Sequence, residues 1–107
     1  MNQISYENRK AVYDDAIATY GIGAQLIVAV EELSELQKEL CNSLRGEVRL
    51  ADLQEEVADV TIMLEQIRQA FNINDLVCQT MDFKILRLKQ RIADAKAGGK
   101  MPKQEES

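Results

Sequence analysis

The feature that most constrains the fold is a periodicity. Each long segment repeats its apolar residues at intervals of three and four, and none alternates apolar with polar as a half-buried strand would. "LIVAVEELSELQKEL" (26–40) and "LQEEVADVTIML" (53–64) show the pattern best. The spacing predicts four helices, from about Ile4 to Tyr20, Ala24 to Asn42, Arg49 to Ala70 and Asp75 to Ala97. "GIG" (21–23) reads as a turn, since it lacks the third glycine and the preceding strand of a dinucleotide fingerprint. "NSLRGEV" (42–48) reads as a loop, and "FNIN" (71–74) offers Asn74 as a cap with Asp75 in a favourable first turn. A chain of 107 residues, 46% hydrophobic and with one proline, suits one all-α domain with a four-helix bundle-like fold over 1–97. Residues 98–107, beginning at Gly98 and Gly99, are expected to form a disordered tail. Long apolar stripes on so short a chain favour self-association.

The second helix carries an unusual load of acid. Glu31, Glu32, Glu35 and Glu39 fall within nine residues, and carboxylates three or four apart on a helix repel each other. At about 100° per residue, Leu26, Ala29, Val30, Leu33, Leu36 and Leu40 form an apolar arc, with Glu32, Glu35 and Glu39 along its border. The third helix repeats the design. Leu50, Leu53, Val57, Val60, Leu64, Ile67 and Phe71 form its arc, Glu56 sits at the border, and Asp59 lies about 60° further round. If these helices pack antiparallel through their arcs, Glu32, Glu35, Glu56 and Asp59 converge. Four carboxylates at one seam cannot all stay ionised without a counter-charge. A hard divalent cation with oxygen ligands supplies one, and Mg²⁺ in particular binds together with substrate phosphates. A merely solvated acidic face is the competing reading, and the pattern alone names no reaction.

Other residues narrow the chemistry. The chain has no histidine, which removes His-based zinc sites, Ser-His-Asp triads and Glu-x-x-His di-iron sites. A net charge of −5 argues against nucleic acid as a partner. No apolar run reaches a membrane span, so no membrane association is expected. The N-terminus has no signal-peptide h-region, and Cys41 and Cys78 read as reduced and packed within helices. A cytoplasmic location is the expectation.

"EELSE" (31–35) followed by "EVAD" (56–59) resembles the E-E-x-x-E…E-x-x-D signature of the all-α NTP pyrophosphohydrolases, the MazG-like proteins and the related dimeric dUTPases. "YGIGAQLIVAVEELSELQKEL", the "LRG" after it and "EEVADVTIML" look like the small single-domain members of phages and bacteria, and the likeness extends over residues 13 to 92. The resemblance implies a helical bundle assembled as a homodimer or homotetramer. It also implies Mg²⁺-dependent hydrolysis of a nucleoside triphosphate to the monophosphate and pyrophosphate, with Mn²⁺ as a substitute ion. Glu32, Glu35, Glu56 and Asp59 match the family's metal ligands. Glu31 completes the first motif although its angle points away from the acidic stripe. Glu35 or Glu31, where not engaged by metal, is a candidate to take the proton of the attacking water.

Candidate substrate residues follow. Lys84, Arg87 and Arg91 fall on one flank of the fourth helix's apolar arc (Val77, Met81, Ile85, Leu88, Ile92) and suit a polyphosphate tail. Gln25 carries both a donor and an acceptor, as base recognition requires. Arg45 and Arg49 flank Gly46 in the loop and have reach over a substrate. Tyr6, Tyr13 and Tyr20, seven apart, suit packing better than base stacking. The alternative from a different class is a non-catalytic helical assembly or nucleotide-sensing module that keeps the bundle without the chemistry.

Overall fold

The computed structural model describes residues 3–98. Those residues form four helices and no strand: α1 (Tyr6–Tyr20), α2 (Ile22–Leu44), α3 (Leu50–Ala70) and α4 (Asn74–Lys96). The boundaries follow local chemistry. Ser5 caps α1, its hydroxyl accepting from the Asn8 N–H at 3.1 Å, with Glu7 in the first turn where the helix dipole favours a negative charge. The break after α1 is a single residue rather than the three of "GIG". Gly21 takes φ +87°, donates its N–H to the Ile17 carbonyl and lets α2 begin at once, bent 111° from α1. Gly23 already lies in the first turn of α2.

The α2–α3 connection is shorter than the expected loop, because α2 runs on to Leu44. The Glu47 N–H then bonds back to the Asn42 carbonyl at 2.9 Å, and Gly46 sits at φ +88°. α3 opens with Asp52 in its first turn and closes with Arg68 in its last, both matched to the dipole. After it Asn72 takes φ +53°, a left-handed conformation that asparagine tolerates better than most residues. The expectation of a tail after Gly98 falls on residues 99–107, outside those described.

The chain divides into two units, one ending at Ile73 and the other beginning at Asn74. In the first, α2 and α3 form an antiparallel hairpin, with Glu39 opposite Arg49 near the turn and Glu32 opposite Asp59 further along. α1 packs on both. Arg9 and Tyr13 reach Glu65, and the Gln69 amide donates to the Lys10 carbonyl at 2.9 Å and to Asp14 at 2.6 Å. An apolar hollow of about 470 Å³ lies over this clasp, walled by Ile4, Val12, Ala58 and Ile62. The second unit contains α4, described by itself: Met81, Ile85, Leu88 and Ile92 are exposed, and Arg87 lies over the Phe83 ring at 5.7 Å. No single helix among the described residues is long and apolar enough to cross a membrane.

Two expectations are corrected. The apolar arcs of α2 and α3 meet only in part, through Ala29 and Val60. Val30, Leu33 and Leu40 are 64%, 47% and 49% exposed, and Leu50, Val57 and Leu64 also face outward, while the seam holds Glu39, Asn42 and Gln66 beside Ala29, Val60 and Met63. Packing draws part of the polar border inside and leaves part of each apolar stripe open. Cys41 and Cys78 are exposed rather than packed. Of the tyrosine row only Tyr13 is buried, because it alone has a partner in Glu65.

Candidate metal centre

Three carboxylates meet in the α2–α3 seam. Glu32 comes from α2, and Glu56 and Asp59, one turn apart, come from α3; each offers an oxygen within 4.8 Å of the other two. The juxtaposition follows from two helix periods and one short turn. An i, i+3 pair on α3 presents one acidic edge, and the antiparallel return of the hairpin brings Glu32 against it.

The electrostatics are those of crowded anions. Glu32's carboxyl is pushed above the ordinary glutamate range, first by desolvation and then by a hydrogen bond with Asp59, with further repulsion from Asp59, Glu56 and Glu35. A hydrogen bond between two carboxyl groups requires one of them to hold a proton. Glu56 is raised as well, again by desolvation first and then by Asp59, Glu35, Glu55 and Glu39. Its Oε2 is buried with no hydrogen-bond partner among the described residues. A buried, unsatisfied carboxylate oxygen beside two further hard oxygen donors suits a divalent cation in its chemistry.

The other expected site residues divide. Glu35 is exposed one turn beyond Glu32; it is close enough to raise Glu32 and Glu56 but lies outside the tight triad. Glu31 is exposed and away from it. Gln25 is half-buried two turns before Glu32, on the same face of α2. Lys84, Arg87 and Arg91 share one flank of α4, in the second unit, and are half-buried. Arg45 donates to the Asn42 side chain, and Arg49 bonds Glu39 at 2.9 Å while lying 3.5 Å from Asp52.

Two seam residues were not expected as site members. Glu39 is buried and held by Arg49, which compensates its charge. Gln66 is buried two turns beyond Asp59. The signal for both was in the sequence: each lies seven residues from a triad member, and that spacing keeps a residue on the same helix face. Comparison with family models, curated protein sequences and solved structures returns no match.

Proposed function

We propose that the chain is a MazG-like, Mg²⁺-dependent nucleoside triphosphate pyrophosphohydrolase. The observation that supports it is the meeting of Glu32, Glu56 and Asp59, drawn from both acidic motifs, in a seam where desolvation and neighbouring carboxylates raise Glu32 and Glu56. In this reading Glu32, Glu56 and Asp59 hold the ion, with Glu35 able to join from one turn away. Mg²⁺, or Mn²⁺ in its place, would polarise the phosphoryl group and acidify a bound water. Glu35, exposed beside the triad, takes the proton of the water that attacks the α-phosphorus as pyrophosphate leaves; Glu31 is the second candidate. Gln25, on the triad's face of α2, serves the substrate. A homodimer or homotetramer belongs to the same proposal, because the apolar faces of α2 and α3 lie open. A cytoplasmic setting belongs to it too.

The test is a product-resolved assay over the common ribo- and deoxyribonucleoside triphosphates, with Mg²⁺ and with chelator. Monophosphate and pyrophosphate should form only with the ion, and Glu56→Gln should stay helical and lose turnover by about 100-fold or more, since disturbing even an outer partner of a metal ligand costs about 10- to 100-fold. Full turnover in that variant would remove Glu56 from the site. The open apolar faces also favour a second reading, a nucleotide-sensing assembly module. Stabilisation by nucleotide and Mg²⁺ without product would select it.

A further inference from the structure

Outside the acidic triad, Gln66 is the seam residue among those described with a buried polar atom that no neighbour satisfies. It is 7% exposed, and its side-chain Oε1 has no hydrogen-bond partner among the described residues. A buried amide oxygen is costly to leave without a donor, so such a group calls for a partner from outside the chain. Its position says which part of a ligand would provide that partner. The hairpin brings Glu39 to Arg49 and Glu32 to Asp59; seven residues beyond Asp59, Gln66 keeps the same face of α3, as Gln25, seven before Glu32, keeps that of α2. Along the seam the order is therefore Arg49, the acidic triad, then Gln66. Two turns of helix separate Asp59 from Gln66, a rise of about 10 Å. That is close to the reach of a nucleoside from its phosphate to the far edge of its base.

The geometry points to Gln66 as the base-reading residue of the site. Its Oε1 accepts an N–H from the edge of a nucleobase, in a nucleoside triphosphate that lies lengthwise along the α2–α3 seam with its polyphosphate over the triad and toward Arg49. This rests on the pyrophosphohydrolase reading and adds what the metal cannot supply, a preference for nucleotides over inorganic polyphosphate. The half-buried Gln25 amide, on the triad's face of α2, adds a second polar group toward the base end.

The experiment varies ligand and protein together. Calorimetry with Mg²⁺ compares two pairs of α,β-imido nucleotides on the full chain and on Gln66→Met: deoxyuridine triphosphate with its N3-methyl analogue, and deoxycytidine triphosphate with its N4,N4-dimethyl analogue. In the wild-type chain, methylation of the better-bound base should weaken binding by about 10- to 100-fold, the cost of leaving a buried acceptor unpaired. In Gln66→Met the parent and methylated forms should bind alike. Equal binding of both pairs by the wild type overturns the assignment, and that arm holds even if the variant does not fold. An undiminished methylation penalty in a folded Gln66→Met overturns it as well, since the penalty would then be steric. If neither nucleotides nor inorganic triphosphate bind with Mg²⁺, the triad reading itself fails and takes this one with it. If inorganic triphosphate binds as tightly as the nucleotides, only the role of Gln66 falls.

Discussion

Desolvation of Glu32 and Glu56, with the crowding of Asp59 against them, sets the pH behaviour of the metal-free site. Groups whose carboxyl holds its proton more tightly when folded contribute stability below the unfolded value, and that stability is lost as pH rises through the folded value. Glu32 and Glu56 are both of this kind, so near neutral pH the seam works against the fold unless a cation is bound. In chelator, Asp59→Asn should therefore raise Tm by several degrees at pH 7, with a smaller gain near pH 5, and should abolish the stabilisation by Mg²⁺. Calorimetric scans at the two pH values check this; a variant less stable than wild type at both would mean the three acids are not in conflict. Tyr13 has the opposite role, that of a satisfied group. Its phenol is pushed up to about 12, chiefly by burial and then by the Glu65 carboxylate that accepts its hydrogen bond, with Arg9 opposing. The sign again gives stability below the unfolded value of 10.0 that is lost as pH rises toward 12. Tyr13→Phe should remove that alkaline decline and cost about 1 kcal/mol at neutral pH, and ultraviolet titration should show one tyrosine ionising near 12 disappear.

At the level of elements, the α2–α3 hairpin is what makes a site out of two acidic edges, and its turn is the point at which to disturb it. Gly46 stands at φ +88° with nothing near a would-be Cβ, so Gly46→Ala meets only the backbone penalty of the left-handed region. It should cost about 1–2 kcal/mol, without a steric clash, and leave Mg²⁺ affinity within a few-fold; chemical denaturation with a metal titration checks both. The helices themselves were legible because caps and periods are local: all four fall within a few residues of their expected ends. The direction each helix faces was less so. An apolar arc reveals that a helix has a burial preference, not which surface meets it, and here the arc of α2 turns outward at Val30, Leu33 and Leu40. Glu32, Glu56 and Asp59 were recognisable because their spacing alone puts them at the seam's edge. The burial of Glu39 depends on Arg49 reaching it from across the turn, and that of Gln66 on the register of the hairpin. Neither contact is encoded in one helix.

For the whole molecule, the first unit poses a question of stability. Among the described residues its buried apolar core is Tyr13, Ala29, Val60 and Met63, while a set of leucines and valines stays open on α2 and α3. Folding stability comes mainly from apolar area removed from water, and a core that small leaves little to offset the entropy of ordering three helices. A second copy of the chain, laying its own open faces on these, is the economical remedy, and it gives a decisive expectation. If the faces were solvent-exposed in solution, Leu33→Glu and Val57→Glu would each change stability by no more than about 0.5 kcal/mol, as surface substitutions do. If they are covered by another copy, each places a charge against an apolar surface. Sedimentation should then show wild-type chain as a dimer or tetramer, the paired variant as monomer, and a Tm that rises with protein concentration only for the wild type. A wild-type monomer with unchanged Tm in the double variant would show that the open leucines carry no partner, and that the acidic hairpin holds its shape by the α1 clasp of Arg9, Tyr13 and Glu65 alone.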